Sequence, residues 1–506
     1  MSKRYILGID NGGTNTKAAI YDMSGKELAV SSRGTKMLTP RPFFTERSIP
    51  ELIEATIEVI KNAINKSGVD PEAIVGVSCT GHGNGLYLMG EEFTPVRNGI
   101  ISTDSRAIDY IDKWYQEKGF EEKIHPLTMS SVWAGQPVAL LAWLKDNEPE
   151  MIDRTKYIFM VKDLVRYYLT GKATLEITDI SGTNLINLKT KNYDDDIFDF
   201  FDILDWKDKL PPLVNSTEEA GKISKKMAEL TGLVEGTPVA GGVFDIASSA
   251  VATGLVNDNQ LAIVTGTWSI NEYITSEPKA EADLFMTSIY PIEDKWLVTE
   301  ASPTSASNLE WFINTFLANQ PITTGQSIYD YCNDLVCDTT VDEGQLLFFP
   351  FIFGSNSIAD ATSGFVGINS YHELKHFVRA IYEGVIFSHM YHIEKLRTFN
   401  LNLEGAARIA GGITNSDVWL QMFSDALGIP LEIVTVKESG TLGTAMAAAV
   451  MLGEYPSFVE AADEMIHVAK IIEPDLEKTK VYRKKYTKYA DVVDNMASPW
   501  KIMNES

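Results

Sequence analysis

Long apolar runs, cysteine and positive charge are all scarce in this sequence. No apolar segment reaches the length needed to span a membrane, and the residues Met-Ser-Lys-Arg lead directly into an apolar strand, so we expect no signal peptide. There are 3 cysteines, Cys79, Cys332 and Cys337, and their spacing is not that of a metal site. Such sparse cysteine fits a reducing environment, and we expect a cytoplasmic protein.

The shortage of positive charge narrows the range of partners. The chain has 44 lysine and arginine residues against 69 aspartate and glutamate residues, which gives a net charge of −25. Because nucleic acids and anionic membranes repel such a surface, we expect neither as a partner. A nucleotide remains compatible, since one local loop together with Mg²⁺ can overcome an acidic surface.

The length of the chain predicts two domains. At 506 residues it exceeds the size at which a single hydrophobic core stops growing, and its hydrophobic fraction of 44% is ordinary for a globular protein. We predict an N-terminal domain over residues 1–248 and a C-terminal domain over residues 249–506, which ends in a charged helical tail.

The most informative stretch is the opening hairpin. A short apolar strand from Tyr5 ends in Asp10, a glycine turn follows, and a second strand runs to Tyr21. Gly12 and Gly13 let main-chain N–H groups approach a ligand closely. Asp10 supplies a hard oxygen of the kind that Mg²⁺ prefers. An ordinary hairpin with an Asn-Gly turn is the alternative, so this stretch by itself does not decide between the two.

Two further strands end in loops that carry polar side chains. Residues 74–79 form an apolar strand that runs into a glycine-rich loop containing His82. Residues 100–103 read as another strand, which ends in Asp104 and Arg106. Since ligands of α/β sheets bind where strands end, both loops are candidates for contact with a ligand.

A carboxylate follows a fourth strand. The strand begins at Val239, breaks at two glycines and delivers Asp245 in front of a small apolar helix. Asp is also a good helix N-cap, so a purely capping role is the alternative.

The second half of the chain begins like the first. Residues 260–265 read as a strand, Gly266 and Thr267 as a turn, and residues 268–275 as a returning strand. This faint repeat is most simply explained by internal duplication. Later strands and helices alternate, which is the pattern of an α/β fold.

These motifs together resemble the FGGY family of carbohydrate kinases, over residues 5–452. The residues that carry the resemblance are Asp10 to Thr14, Asp245, Gly266-Thr267, Gly411-Gly412 and a C-terminal signature at Ser363–Ile368. The resemblance implies an α/β fold of the actin/hexokinase-like ATPase type, with two ribonuclease-H-like domains around a central cleft.

The resemblance also implies roles for individual residues. Asp245 would accept the proton of a sugar hydroxyl as the γ-phosphoryl group of ATP arrives, and Asp10 would position Mg²⁺. The residues implied to bind ATP are Gly12, Gly13, Thr14, Asn15, Lys17, Gly266, Thr267, Gly411, Gly412 and Asn415. Those implied to contact the sugar are Gly81, His82, Asp104, Arg106, Trp133, Phe244 and Asp245. For Arg106, simple pairing with Asp104 is the alternative, and related kinases often carry a larger residue in place of Gly81.

The implied activity is ATP-dependent phosphorylation of a ketose hydroxyl. Stretches such as residues 300–305 and 350–356 favour L-xylulose, or 3-keto-L-gulonate, within the family. D-xylulose, L-ribulose, erythritol and glycerol are alternatives, because sequence does not resolve the stereochemistry of one hydroxyl. A more distant alternative is an actin- or chaperone-like ATPase, although these lack a sugar-directed carboxylate at the position of Asp245. Exposed aromatic residues on the later helices would permit a homodimer without indicating one.

Overall fold

The three-dimensional structure is a computed structural model. It describes residues 3–258, 260–266, 268–281, 284–318, 320, 325–358, 360–399, 402–403 and 405–504. The chain forms two compact units. Unit 1 comprises Met1–Val256, Ile274–Leu297 and Val436–His467, and unit 2 comprises Asn257–Tyr273, Val298–Thr435 and Val468–Ser506. Each unit is discontinuous in sequence, so a single boundary near residue 248 stays a prediction.

The strands are short, and the longest of them build the two main sheets. In chain order they are β1 Tyr5–Asn11, β2 Asn15–Asp22, β3 Glu27–Gly34, β4 Met37–Leu38, β5 Glu46–Arg47, β6 Ile74–Gly81, β7 Tyr87–Met89, β8 Gly99–Ile100, β9 Tyr157–Phe159, β10 Leu175–Glu176, β11 Ile186–Asn187, β12 Asn192–Tyr193, β13 Leu213–Val214, β14 Glu219–Lys222, β15 Pro238–Ala240, β16 Ala262–Thr265, β17 Ser269–Thr275, β18 Met286–Ile289, β19 Trp296–Ser302, β20 Leu347–Phe349, β21 Gly364–Val366, β22 Ala407–Gly411, β23 Leu431–Val434 and β24 Val468–Ile472.

The helices range from single turns to one of 25 residues. They are α1 Ile49–Ser67, α2 Ile108–Lys113, α3 Phe120–Lys123, α4 His125–Thr128, α5 Pro137–Asn147, α6 Glu150–Arg154, α7 Val161–Thr170, α8 Ile177–Ser181, α9 Asp195–Phe200, α10 Lys225–Thr231, α11 Asp245–Ala252, α12 Ser307–Phe312, α13 Ile328–Cys337, α14 Leu374–Thr398, α15 Asp417–Leu427, α16 Ser439–Met451, α17 Phe458–Met465, α18 Leu476–Asn495 and α19 Ala497–Asn504. Across the described residues, none of these helices has both the length and the apolar character that crossing a membrane requires.

Helix α1 illustrates how local sequence sets the bounds of an element. The Ser48 side chain accepts the backbone N–H of Glu51 and so satisfies one of the free donors at the start of the helix. The helix ends at Gly68, whose φ of 64° is left-handed and suits glycine. The buried stripe consists of Ile49, Leu52, Ile53, Ala55, Thr56, Val59, Ile60, Ala63 and Ile64. The sequence predicts this helix over residues 49–67, with Ser48 as its N-cap, Glu51 three residues on and Gly68 at its end, and the structure confirms the helix and both caps.

The sheet of unit 1 has the order β14-β15-β6-β1-β2-β3. Strands β1, β2 and β3 form an antiparallel meander, while β6 runs parallel to β1 and β15 runs parallel to β6. The register places Asp10 beside Thr80 and Asn11 beside Gly81. Because β1, β6 and β15 are parallel, their carboxyl ends meet at one edge of the sheet. The loops that follow these three strands therefore share that edge.

The sheet of unit 2 repeats this arrangement. The sheet has seven strands in the order β18-β19-β17-β16-β22-β23-β24. Strand β17 returns antiparallel to β16, β22 and β23 continue parallel to β16, and β24 closes the edge antiparallel to β23. In unit 1 the edge strand β14 is likewise antiparallel to its neighbour β15. The shared order of strand relations supports the internal duplication predicted from the two glycine turns.

Two predicted elements have different bounds in the structure. The strand predicted over residues 100–103 is reduced to β8, because the Asp104 N–H donates to the Ile101 carbonyl at 2.9 Å and turns the chain at once. The sequence pattern predicts a helix over residues 443–452, whereas helix α16 begins four residues earlier, at Ser439. Glycine has a low helix propensity, so Gly443 weakens the helical pattern of the sequence. The packing requires glycine at this position, because a Cβ at Gly443 would lie 1.9 Å from the Ser248 carbonyl oxygen.

Candidate active site

The turn of the opening hairpin is exposed and carries a charged pair at its base. Asp10 on β1 lies opposite Lys17 on β2. Thr14 and Asn15, at the tip of the turn, are exposed. The Lys17 Nζ pairs with Glu438 Oε2 at 2.7 Å, just before helix α16. The hairpin therefore offers backbone N–H groups, hydroxyls and one cation on an accessible face.

A buried arginine supports the turn from the inside. Arg47, on β5, has no exposed surface, and its Nη2 donates to the carbonyl oxygen of Gly12 at 2.9 Å and to that of Gly13. The same nitrogen donates to the Thr35 hydroxyl at 2.7 Å. The conformation of the two glycines is thus fixed by a side chain that is distant in sequence.

Asp10 is partly buried and its charge is only partly compensated. Burial raises the pKa of Asp10 to about 6, Lys17 acts to lower it, and Glu438 acts to raise it. A Cβ at Gly440 would lie 2.6 Å from Asp10 Oδ2, so the carboxylate packs directly on the first turn of α16. The N-terminus of a helix favours negative charge, which suits a site that is to receive phosphate groups.

Asp245 is the first residue of α11, beyond the carboxyl end of β15. Its Oδ1 accepts the Ile246 N–H at 2.8 Å. Burial, and after it the charge of Asp10, raise the pKa of Asp245 to about 7, while backbone N–H groups of Ile246 and Gly83 act in the opposite direction. The residue that caps α11 is Phe244, which makes no side-chain capping bond. The alternative role of Asp245 as the N-cap is therefore not what the structure shows.

The loop that presents Asp245 is anchored at each peptide. The Val243 N–H donates to the Cys79 carbonyl at 3.2 Å, and its own carbonyl accepts from the Thr80 hydroxyl at 2.6 Å. The Phe244 N–H donates to the Thr178 hydroxyl oxygen at 3.0 Å. Such bonds restrict the position of the carboxylate that follows.

A fully buried cluster of charges lies behind this loop. Lys162 Nζ is 3.1 Å from Asp163, and 3.3 Å from both Glu176 and Asp179. Arg166 pairs with Asp163 at 2.8 Å and also donates to the carbonyl of Gly241 in the loop. Burial raises the pKa of Asp179 well above its usual value. Two cations thus face three carboxyl groups, and the cluster fixes the base of the loop.

The loop after β6 is tightly packed. A Cβ at Gly81 would lie 2.6 Å from Val161 Cγ1 and 2.9 Å from the Asn11 carbonyl oxygen, so a larger residue there would force its neighbours to shift. His82 is buried, with Nε2 at 2.8 Å from the Tyr87 hydroxyl and Nδ1 at 3.3 Å from the Gly83 carbonyl. Burial lowers the pKa of His82 to about 3, so the ring is neutral.

Asp104 and Arg106 form an ion pair, which is the alternative to direct contact of Arg106 with the sugar. Arg106 donates to both Asp104 oxygens at 2.9 Å and to Glu46 at 2.9 Å, and its guanidinium stacks 4.0 Å above the Phe44 ring. The Asp104 carboxylate also accepts the Thr45 N–H at 2.6 Å. Both side chains have 0% exposure. Contact of either with a sugar stays a prediction.

Trp133 and Phe244, the two aromatic residues predicted to contact the sugar, differ in exposure. Trp133 is partly exposed and stacks on Phe285 with ring centres 5.4 Å apart. Phe244 is buried, and a Cβ at Gly83 would lie 1.9 Å from its ring. Gly83 is therefore required for the close approach of the His82 loop to Phe244.

In unit 2, a glycine loop follows the parallel pair β16 and β22. Gly411 lies beside Thr265 and has a φ of 101°, and a Cβ there would be 2.0 Å from the Thr265 carbonyl oxygen. Gly411, Gly412 and Asn415 are all exposed. The Asn415 amide donates to the Gly412 carbonyl at 3.2 Å.

The predicted phosphate turn of unit 2 follows β16. Gly266 is partly exposed, and a Cβ there would meet no other atom within 4 Å. Thr267 lies outside the described residues. Open backbone at the carboxyl end of a strand is compatible with a ligand that approaches closely.

The carboxylates of unit 1 suit magnesium better than a metal that needs a full protein cage. Within the described ranges, no three His, Cys, Asp or Glu side chains gather as a metal site. Mg²⁺ commonly takes one or two carboxylates and completes its shell with water and phosphate oxygens. Asp10 and Asp245 are two partly exposed carboxyls with raised pKa values, and a divalent cation would favour their ionised forms. The donor set therefore fits Mg²⁺.

Comparison with known proteins defines the class of this protein. The N-terminal domain model of the FGGY family of carbohydrate kinases matches residues 5–252, and the C-terminal domain model matches residues 261–452. The chain belongs to the FGGY family of carbohydrate kinases. It is thus an enzyme, a sugar kinase that uses ATP.

Individual relatives agree with this assignment. The chain is 38% identical to the L-xylulose/3-keto-L-gulonate kinase of Escherichia coli (strain K12), over 97% of each chain. It is 36% identical to a protein of Haemophilus influenzae named "Probable L-xylulose kinase", over 97% of this chain and 98% of that one. The crystal structure of gluconate kinase from Lactobacillus acidophilus superposes with a TM-score of 0.89 at 22% identity, over 99% and 100% of the two chains. The predicted fold class is confirmed.

Some residues of this site were not singled out from the sequence. No motif marks Arg47, which follows an acidic residue and immediately precedes the N-cap of α1. The charged residues Lys162, Asp163 and Arg166 do recur at helical spacing within α7. That spacing indicates a common helix face, but only the structure shows that the face is buried.

Loss of Lys162 is expected to destabilise the fold. Lys162→Met would leave Glu176 and Asp179 without their buried cation, so we expect the free energy of unfolding to fall by about 3–5 kcal/mol. Urea denaturation followed by tryptophan fluorescence measures this. The matched control is Lys156→Met at the exposed pair with Glu91, for which the transition should not move measurably. Equal effects of the two variants would contradict the importance of the cluster.

Proposed function

We propose that this kinase phosphorylates L-xylulose or a related ketose such as 3-keto-L-gulonate. The observation that carries the proposal is the 38% identity, over 97% of both chains, to a protein named for these two sugars. A second relative named for L-xylulose, at 36% identity, adds support. The likeness to gluconate kinase concerns the fold alone, since only 22% of residues are identical.

We infer that Asp245 is the catalytic base. A sugar hydroxyl is a weak nucleophile, and a carboxylate that accepts its proton assists attack on the γ-phosphorus of ATP. The loop bonds to Cys79, Thr80 and Thr178 support this role, because they position the carboxylate without engaging it. Its pKa of about 7 also supports it, since a base is most effective near the working pH.

We infer that the opening hairpin binds the phosphates of ATP. Backbone N–H groups of Gly12 and Gly13, with Thr14, Asn15 and Lys17, would face the transferring group. Asp10 would hold Mg²⁺, which when bound neutralises charge on the phosphate oxygens. Lys17, now paired with Glu438, would exchange that partner for phosphate.

We assign the remaining predicted contacts to the same two ligands. In unit 2, Gly266 and Thr267 would bind phosphate, and the exposed Gly411, Gly412 and Asn415 would contact the nucleoside. In unit 1, His82 and Trp133 would contact the sugar, Gly81 and Phe244 would shape its pocket, and Asp104 with Arg106 would hold the adjoining loop.

We also propose that the enzyme acts in the cytoplasm. The free state of Cys79, Cys332 and Cys337 supports a reducing environment, as does the use of ATP as a substrate. Homodimer formation stays a prediction.

Asp245→Asn is expected to lower kcat by about 10²- to 10⁴-fold, because an amide cannot accept the proton. Dissociation constants for ADP and for the sugar should change little, since the shape of the residue is kept. Kinetics and calorimetric titration measure the two effects. The control is Asp294→Asn at an exposed carboxylate, which should leave kcat unchanged. Near-normal turnover of Asp245→Asn would exclude it as the base.

The activity is expected to depend on pH through the same carboxylate. The base acts only when ionised, and its pKa is raised to about 7, so kcat/KM should be full above about pH 8 and should fall through pH 7. Below that value we expect about a tenfold loss for each pH unit. A pH series of initial rates, with protein stability checked at each pH, measures this. A profile that stays flat to about pH 5 would rule out the raised pKa.

The substrate proposal is tested by a panel of sugars in a coupled ADP-release assay. L-xylulose or 3-keto-L-gulonate should give a kcat/KM at least about tenfold above that of D-xylulose, L-ribulose, erythritol, glycerol or gluconate. A higher value for one of the other sugars would replace the proposed substrate while leaving the kinase assignment intact. Full ATP hydrolysis without any sugar would instead favour an actin- or chaperone-like ATPase.

A further inference from the structure

Arg47 is a buried cation without a carboxylate partner. Its side chain has no exposed surface, and over the described ranges it forms no ion pair with Asp or Glu. Two of its nitrogens, Nε and Nη1, are buried and make no hydrogen bond to the described atoms. Burial of an unpaired charge is costly, so a residue of this kind is expected to be retained for what its charge and donors do to its neighbours.

On one side Arg47 orients the phosphate turn. The carbonyls of Gly12 and Gly13 both accept from its Nη2. In a trans peptide the C=O and N–H point in opposite directions. The N–H groups of Gly13 and Thr14 therefore point away from Arg47, and Thr14 lies on the exposed face of the turn. This is the orientation that binding of a phosphate to the backbone needs.

On its other side Arg47 acts on Tyr87 and His82. Burial raises the pKa of Tyr87 to about 12, and the positive charge of Arg47 acts to lower it. Burial, and then the charge of Arg47, lower the pKa of His82. The Tyr87 hydroxyl lies 2.8 Å from His82 Nε2. Tyr87 and His82 thus form a buried hydrogen-bonded pair at the predicted sugar loop.

The positions of the hydrogens follow from the chemistry of these groups. The Gly83 carbonyl lies 3.3 Å from His82 Nδ1 and can only accept, so Nδ1 carries the hydrogen. A neutral imidazole has one such hydrogen, so Nε2 is unprotonated. The Tyr87 hydroxyl, 2.8 Å from Nε2, is then the donor.

We propose that Tyr87 is a positioning residue that fixes His82 as the Nδ1-protonated tautomer, so that His82 meets the sugar as a hydrogen-bond donor, while Arg47 orients the phosphate turn. The proposal rests on the proposed function, in which His82 contacts the sugar. The bond from Nδ1 to Gly83 is long and is readily exchanged for a better acceptor. The sugar oxygen recognised by His82 must therefore offer a lone pair, as a ketose carbonyl or a hydroxyl oxygen does.

The tautomer can be observed without any substrate. Full-length protein labelled with ¹⁵N-histidine is studied by long-range ¹H–¹⁵N correlation, and His82→Gln identifies the signals of His82. In the unaltered enzyme we expect a protonated Nδ1 and an unprotonated Nε2. In Tyr87→Phe, which removes only the hydroxyl, the two tautomers should mix. The matched control is Tyr193→Phe, whose hydroxyl donates to Pro211 elsewhere in unit 1, and it should leave His82 unchanged.

Two results of this measurement would overturn the proposal. One is a protonated Nε2 in the unaltered enzyme. The other is an unchanged Nδ1 tautomer in Tyr87→Phe, which would give Tyr87 a role in packing alone. Because no sugar is needed, these outcomes are independent of the identity of the substrate.

Kinetics tests the consequence for binding. With the best sugar of the panel, Tyr87→Phe should raise the sugar KM about tenfold, the worth of one neutral hydrogen bond, with kcat and the KM for ATP unchanged. Arg47→Lys keeps the charge but not the fork of donors that holds Gly12 and Gly13, so it should raise the KM for ATP and leave the KM for the sugar unchanged. The control Arg33→Lys, at an exposed pair with Glu58, should change neither.

The two arms also separate the parts of the proposal. An altered tautomer with an unchanged sugar KM would overturn the role of His82 as donor to the sugar. A sugar KM that rises without a tautomer change would assign the effect to packing and would overturn it equally. Should Arg47→Lys fail to fold, Tyr87→Phe decides the question alone.

Discussion

The parallel alignment of β1, β6 and β15 is the constraint on which the candidate site of unit 1 depends. Asp10 lies near the carboxyl end of β1, His82 follows that of β6, and Asp245 follows that of β15, although the three are far apart in the chain. Parallel strands must place those ends at one edge of the sheet. This single feature of topology therefore brings together the groups to which we assign phosphate binding, the metal and the proton of the sugar hydroxyl.

Burial gives the two carboxylates their special character. The pKa of Asp10 is raised to about 6 and that of Asp245 to about 7, chiefly by burial of the carboxyl groups. For Asp245 the charge of Asp10 contributes as well. A carboxylate in solution would be too weak a base to accept a hydroxyl proton effectively. The cluster around Lys162 shows the opposite arrangement, in which buried carboxyls are paired with cations and serve to hold a loop.

The two units show the same order of strand relations with different loops. Both begin with an antiparallel hairpin whose turn contains glycine, and both continue with parallel strands and an antiparallel edge strand. In unit 1 the loops carry Asp10, His82 and Asp245, whereas in unit 2 they carry exposed glycines and Asn415. Duplication of a sheet that places loops at one edge, followed by divergence of those loops, accounts for both.

Sequence by itself determined the elements whose signals are local. The caps of α1 at Ser48 and Gly68 and the apolar stripe between them predicted the helix, and the glycine turn after Asp10 predicted the hairpin. The family motifs then predicted a role for Asp245 as the base. Sequence could not determine what depends on long-range packing: the start of α16 at Ser439, the short β8, and the buried state of Arg47, Arg106 and Lys162. Those outcomes were decided by tertiary structure, because the free energy of a buried charge depends on partners that lie far away in the chain.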